Sequence, residues 1–334
     1  MTQCVLVVGY GSIGRRHTAV VKQRHPDSRI VILRREATGE APADCEFVTS
    51  LDDALAHQPA TAIVCSPAPF HAETTIPLLN NGIPVLLEKP LAADLDSARA
   101  IETAAQISGT PVLLGYNLRY LPALTALKTE LDSGRLGRIY RVNAEVGQYL
   151  PSWRPNQEYQ STVSANASLG GGVLLELSHE FDYLSYLFGQ PQAVTASIAK
   201  RSNLEIDVED CVSLLMEIEN SSHEFTINLN MDLLKRNTTR TCEIVAESGT
   251  LSLDFVSATL TFRDHDHSRI LHNSEIARVD SYAIEHAHFE DVIAGRATAE
   301  VSVTEGIKTL ELIEAARQSA RQRKWISLSG ENNG

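Results

Sequence analysis

A short apolar run that ends in three spaced glycines constrains this chain more than any other stretch. Val5, Leu6, Val7 and Val8 are continuous and β-prone, the pattern of a strand buried on both faces. They lead directly into Gly9-Tyr10-Gly11-Ser12-Ile13-Gly14. Ile13, His17, Val20 and Val21 then recur at helical spacing, and Pro26 lies beyond the end of that segment. Strand, G-x-G-x-x-G turn and helix, in that order, form a cradle for a dinucleotide pyrophosphate. Gly9 permits the tight turn, Gly11 lets the backbone approach phosphate, and Gly14 lets the helix pack closely on the strand. Ser12 and Ile13 open the helix, whose unpaired N–H groups and positive dipole end face the anion.

At 334 residues the chain is long for one domain, and two are expected. A net charge of −13 argues against nucleic acid or an anionic membrane as partner. No apolar stretch has the length of a membrane span, and the glycine turn cuts the first strand too short for a signal peptide. The five cysteines, Cys4, Cys45, Cys65, Cys211 and Cys242, form no C-x-x-C pair. Reduced structural thiols in a cytoplasmic protein are the expectation.

Residues 1–117 alternate strands and helices at short intervals, which predicts an α/β unit with a doubly wound parallel sheet, the Rossmann architecture. Strands are expected at Arg29–Leu33, Thr61–Cys65, Pro84–Leu87 and Pro111–Gly115. Helices are expected at Asp52–His57, His71–Asn80 and Asp94–Ser108. Residues 118–330 change texture and predict an α+β domain with a large, mostly antiparallel open sheet. Its strands fall at Ile139–Gly147, Ala193–Lys200, Cys211–Glu219, Glu224–Met231, Thr241–Ala246 and Leu260–Phe262. Val173–Phe188 reads as one helix, Pro151–Leu169 as an irregular loop, and Ile284–Ile293 and Thr304–Ala320 as closing helices. A large open sheet needs cover, so a homodimer or homotetramer is expected.

An NAD-binding chain carries an acid at the end of the second strand to hold the ribose hydroxyls. Here Ile30-Val31-Ile32-Leu33 runs into Arg34-Arg35, and the first carboxylate is Glu36. Two guanidinium groups suit a 2′-phosphate, which favours NADP over NAD.

Three further segments carry chemistry: Ser66-Pro67-Ala68-Pro69-Phe70-His71, Glu88-Lys89-Pro90-Leu91, and Gly170-Gly171-Gly172 leading into Glu176, His179, Glu180 and Asp182. The first two follow strands, whose carboxyl ends face the ligand crevice of a doubly wound sheet. Ser66, Pro67, His71, Glu88 and Lys89 are therefore expected beside the cofactor. Together with Gly115-Tyr116-Asn117-Leu118-Arg119-Tyr120 and Gly134-x-x-Gly137, these motifs make the chain resemble the Gfo/Idh/MocA family (glucose–fructose oxidoreductase and inositol dehydrogenase) over nearly its whole length. The resemblance implies an NAD(P)-dependent dehydrogenase of the CH–OH group of a sugar, sugar derivative or cyclitol. It assigns catalytic roles to Lys89 and His179. The family commonly has an aspartate four residues before that histidine; this chain has Leu175 there and Glu176 three before. Strict spacing from the glycines would put Glu180 at the histidine position, whereas aligning on His179 lets Phe181-Asp182-Tyr183-Leu184 match with one residue deleted.

The residue types suit alcohol oxidation. An imidazole takes the O–H proton, a lysine stabilises the developing alkoxide, and Glu176 or Asp182 orients the imidazole, with no metal required. Asn117, Arg119 and Tyr120 are candidate crevice residues. Trp153, Arg154 and Tyr159 suit a sugar ring bearing a carboxylate, phosphate or nucleotide, and that loop is similar to a branch of the family linked to bacterial surface-sugar synthesis. His265-Asp266-His267, in a polar turn, and His286 with His288, on an expected surface helix, are set aside as metal ligands. Two alternatives stand beside the dehydrogenase: a metabolite-sensing regulator that binds NAD(P) without catalysis, and an aldose–aldose oxidoreductase that retains its cofactor.

Overall fold

The opening apolar run becomes β1 (Cys4–Val8), whose last four residues are all buried. The computed structural model describes residues 3–35, 42, 44–155, 157–219, 224–273 and 278–328. The chain divides into two units, Met1–Asn117 with Arg278–Ile307, and Leu118–Ala277 with Lys308–Gly334.

In the first unit, β1 joins β2 (Arg29–Leu33), β3 (Cys45–Val48), β4 (Thr61–Val64), β5 (Val85–Glu88) and β6 (Val112–Gly115). Their order is β3-β2-β1-β4-β5-β6, and every pairing is parallel. The order reverses between β1 and β4, the place where a doubly wound sheet opens its ligand crevice. The linking helices are α1 (Ser12–Arg24), α2 (Leu51–Ala56), α3 (His71–Asn80) and α4 (Leu95–Ser108). Their ends are set locally. Ser50 Oγ accepts the Asp53 N–H at 3.1 Å, Asp94 accepts the Ser97 N–H at 2.8 Å, and Gly109 stops α4 with φ of 64°. The strand β3 was not expected: four residues at a half-exposed edge give no apolar run to read.

The second helical segment of this unit arrives from far along the chain. It comprises α8 (Arg278–Ile293) and the start of α9 (Val303–Gln322). The sequence pattern assigned these residues to the second domain, 118–330. Phe289 enters the core formed by Val5, Val7, Val21, Ile30, Ile32, Ile63, Leu86 and Leu113. Val301 O accepts the Leu114 N–H at 3.1 Å. Gly306 lies so near Leu114 that a Cβ would sit 2.3 Å from its Cδ1.

The second unit holds α5 (Pro122–Asp132), β7 (Ile139–Gly147), α6 (Val173–Glu176) and α7 (His179–Phe188). The strands β8 (Ala193–Ala199), β9 (Cys211–Glu219), β10 (Glu224–Asp232), β11 (Thr239–Ala246), β12 (Gly249–Asp254), β13 (Thr259–Arg263), β14 (Ser268–Asn273) and β15 (Ile326–Ser327) complete it. Nine strands form one sheet in the order β14-β13-β12-β11-β7-β10-β9-β8-β15, antiparallel except where β7 meets β10. Alternation decides its faces: Val212, Leu214, Met216 and Ile218 of β9 are buried, while Ser213, Leu215, Glu217 and Glu219 are exposed. α6 lies against β9 and β10, and α5 against β12, β13 and β14. β12 and β14 were not expected; β14 exposes most of its side chains and shows no alternation. Residues 150–169 are irregular, as expected, and hold four single 3-10 turns.

Val173–Phe188 is not one helix. Leu177 leaves helical geometry at φ −102° and ψ 26°, so α6 and α7 are separate. Glu176 and His179 therefore lack the fixed one-turn relation that a continuous helix would impose.

Candidate active site

The turn after β1 has a backbone geometry that its glycines alone permit. Gly9 has φ of +86°, and a Cβ there would meet Cys65 O at 2.9 Å. A Cβ on Gly14 would lie 2.1 Å from Gly9 O, so only glycine lets α1 start this close to the turn. Around Gly11 the Cβ position is open to 4 Å among the described residues. Gly11, the residue at the N-cap of α1, brings no side-chain acceptor to it, and the first turn of that helix contains no acid. Uncapped N–H groups without a competing carboxylate fit a pyrophosphate. Gly9, Gly11, Ser12, Ile13 and Gly14 would hold it.

The end of β2 is cationic and aromatic. The Arg34 guanidinium lies 4.9 Å from the Phe47 ring centre, and Arg35 lies 4.0 Å from that of Phe70. Arg15 lies 5.5 Å from Tyr10, which meets Phe47 edge-on at 5.9 Å. Planar cations stacked on rings are pre-oriented for a phosphate. Glu36 lies outside the described residues.

Ser66 and Pro67 follow β4, as expected. His71 starts α3 but is buried, with Nε2 2.8 Å from Ser66 O and Nδ1 3.2 Å from Leu91 O. Its ring ties the turn after β4 to the turn after β5, the work of a brace more than of a cofactor ligand. Burial pushes the His71 pKa down.

Lys89 follows β5 half-buried, and its backbone N–H donates to Glu88 Oε2 at 3.2 Å. Glu88 is buried, and its other oxygen lies 2.9 Å from His17 Nε2; His17 Nδ1 in turn lies 2.7 Å from His286 Nε2. His286 is thus buried, not on a surface helix. His17 shares the helical phase of Val20 and Val21, so its place on the buried face was readable, but its partners were not. Neighbouring Glu285 is also buried, and its carboxyl oxygens meet no hydrogen-bond partner among the described residues. Burial, then the Glu88 charge, raise its pKa well above the ordinary value. Burial, then His17, hold His286 well below the ordinary imidazole value.

In the second unit, α7 carries two carboxylates in buried forks. Arg240 donates to both oxygens of Glu180 at 2.7 and 2.9 Å. Arg119 donates to both oxygens of Asp182 at 3.0 and 2.8 Å. Bidentate geometry satisfies charges that would otherwise be costly to bury. Arg119, expected in the crevice, and Asp182, expected beside the imidazole, are therefore paired with each other. His179, the first residue of α7, is only half-buried. Glu176 accepts from Ser164 Oγ at 2.9 Å. The glycine-led start of α6 is fastened by Glu209, which sequence reasoning missed: its Oε1 accepts the Leu174 N–H at 3.0 Å. Gly172, with φ of +98°, leaves room for that carboxylate, 2.6 Å from where a Cβ would stand.

Trp153, Arg154, Tyr159 and Ser164 line one small recess. Trp153 Nε1 donates to Gln148 O at 3.1 Å, and Tyr159 Oη accepts the Glu205 N–H at 3.2 Å. Tyr120 is half-buried. Asn117 is buried in the first unit, donating to Ser281 Oγ at 2.8 Å. Among the described residues no three His, Cys, Asp or Glu side chains cluster as metal ligands, and no helix is long and apolar enough to cross a membrane. His265 pairs with Asp266 at 2.7 Å, and His288 Nε2 accepts the Glu300 N–H at 3.0 Å.

The pattern of an oxidoreductase family with an NAD-binding Rossmann fold matches residues 4–116, and that of the GFO/IDH/MocA C-terminal domain matches residues 124–252. The chain belongs to the Gfo/Idh/MocA family. It is an NAD(P)-dependent oxidoreductase of the kind that acts on CH–OH groups. It is 26% identical to an inositol 2-dehydrogenase of Rhizobium meliloti, over 97% of this chain and 98% of the relative. It is 28% identical to scyllo-inositol 2-dehydrogenase (NADP(+)) IolW of Bacillus subtilis, over 60% of this chain and 56% of that one. The fold is similar to the WlbA dehydrogenase of Bordetella pertussis, solved with NADH and UDP-GlcNAcA, at a TM-score of 0.82, 22% identity and 99% coverage of both chains.

The buried pair on α8 makes stability depend on pH in both directions. Glu285 has a raised folded pKa, so its contribution is complete below the ordinary 4.5 and is lost as pH rises toward the folded value. His286 has a depressed folded pKa, so its contribution is complete above the ordinary 6.5 and is lost as pH falls. Glu285→Gln removes the first loss. In urea denaturation the variant should gain on the parent as pH rises from about 5 to 8, by up to ~1.4 kcal/mol per pH unit. A gap that does not change with pH would contradict the neutral buried acid.

Proposed function

We propose that the chain is an NADP(H)-dependent dehydrogenase that interconverts a secondary alcohol and a ketone on a sugar, sugar derivative or cyclitol. The observation that carries the catalytic assignment is the state of the three ionisable groups at the start of α7. Glu180 and Asp182 are locked in buried arginine forks, and His179 alone of the three is half-exposed. This favours the alignment in which His179, not Glu180, is the proton-transfer residue. His179 takes the carbinol proton in oxidation and returns it in reduction. Lys89 stabilises the negative charge that develops on the substrate oxygen. Glu176, which accepts from Ser164 Oγ, orients the imidazole. The bound nicotinamide supplies the hydride acceptor or donor. Trp153, Arg154 and Tyr159 present ring faces and a cation to the substrate. The R. meliloti relative supports a cyclitol, and the ligand in the B. pertussis structure supports an acidic nucleotide sugar.

NADP is preferred because the end of β2 offers Arg34 and Arg35 to a 2′-phosphate. The R. meliloti and B. subtilis relatives make cyclitols the first substrates to test, with sugar acids and UDP-sugars beside them, each followed by the absorbance of reduced nicotinamide. His179→Ala should lower kcat by roughly 10²–10⁴-fold and leave cofactor affinity nearly unchanged; a fully active variant would remove His179 as the base. Fluorescence titration should show NADPH binding more tightly than NADH. The double variant Arg34→Ser, Arg35→Ser should weaken NADPH by about tenfold or more, ~1.4 kcal/mol, and barely affect NADH. Equal weakening of both would contradict the assignment.

A further inference from the structure

We propose that His17 is a positioning residue that latches the cofactor-binding helix α1 to the Glu88-Lys89 turn. This rests on the reading of Lys89 as catalytic. His17 is fully buried, one turn into the helix whose first residues form the phosphate cradle. Its Nε2 lies 2.9 Å from Glu88 Oε1, and Glu88 Oε2 accepts the Lys89 backbone N–H at 3.2 Å. One carboxylate thus joins the end of α1 nearest the phosphate to the backbone of the lysine.

The surroundings keep this carboxylate in place. Gly115 makes room for it: a Cβ there would stand 3.2 Å from Glu88 Cα and Cδ. Behind His17, His286 Nε2 lies 2.7 Å from Nδ1. A neutral His286 that donates from Nε2 leaves His17 Nδ1 as acceptor and obliges His17 Nε2 to carry its proton toward Glu88. The depressed pKa of His286 agrees with that neutral state. Tyr282 meets the His17 ring edge-on at 5.2 Å, and Arg16 covers Tyr282 at 5.0 Å. The ionisable groups that bear on the cluster are Glu285, Tyr282 and His286 from α8, Arg16, Arg24 and His25 from α1 and just beyond it, and Cys65 after β4. A buried carboxylate that loses a donor pays a desolvation cost and seeks another partner. Loss of the His17 contact therefore releases Glu88, and with it the Lys89 N–H. The arrangement couples order at the phosphate cradle to order at the lysine.

Two amide substitutions separate the latch from general packing. His17→Asn can meet His286 but is too short for Glu88, whereas His17→Gln reaches Glu88 with a donor. In the full chain without cofactor, hydrogen exchange of a peptide spanning residues 86–91 should be about tenfold faster in His17→Asn and near the parent rate in His17→Gln, with peptides of β1 and β4 unchanged. With myo-inositol as test alcohol, or UDP-GlcNAcA where myo-inositol is not turned over, His17→Asn should lower kcat about tenfold with KM for NADP within about threefold, and His17→Gln should restore it. Identical exchange and kinetics in the two variants would overturn the latch. Lys89→Met tests the underlying reading separately: an active Lys89→Met defeats the catalytic role of Lys89, while an inactive one together with indistinguishable His17 variants defeats only the latch.

Discussion

The first unit depends on one backbone contact. α1 begins where it does because Gly14 has no side chain and can lie directly against the carbonyl of Gly9. That approach turns the uncapped end of α1 toward the crevice between the ends of β1 and β4. The same placement brings His17 down onto Glu88, and the chain is then fixed as far as Lys89. A methyl group at position 14 would oppose all of this at once. Burial of Val5, Val7, Ile30, Ile32 and Phe289 supplies the driving force for the sheet, but burial alone has no direction. The glycine contact decides where the helix points.

Much of the architecture was legible because its signals are local. The buried strands of the first sheet are continuous apolar runs, their helices have caps at Ser50, Asp94 and Gly109, and the long strands β9, β10 and β11 alternate strictly. What escaped was either short or distant. β3 and β14 are edge strands with much exposed surface, where neither run nor alternation is required. The return of residues 278–307 to the first unit depends on Phe289 and Val301 meeting β-strand residues far away in sequence. No local pattern encodes such a meeting.

The candidate site divides in the same way. The residue types at Gly9–Gly14, Glu88-Lys89 and His179 could be read directly, because each follows a recognisable strand or glycine turn. The roles of the carboxylates could not. Glu176, Glu180 and Asp182 look alike along the chain, and their difference lies in remote partners: Ser164, Arg240 and Arg119. Their surroundings differ: Glu180 and Asp182 are buried and gripped by guanidinium forks, whereas half-buried Glu176 meets the Ser164 hydroxyl. The histidines mislead in the opposite sense. His286 looked like a surface residue and is buried, and His17 looked like one member of an apolar helical face and holds the acid beneath the lysine.

The Gly9–Gly14 contact is the point at which the nucleotide site is most exposed to a single substitution. Gly14→Ala places a methyl group in that contact; it is titrated with NADPH by nicotinamide fluorescence and checked for retained fold by far-ultraviolet circular dichroism. The variant should fold, and its Kd for NADPH should rise by tenfold or more, a loss of at least ~1.4 kcal/mol. A folded Gly14→Ala variant that binds NADPH as tightly as the parent would contradict this dependence.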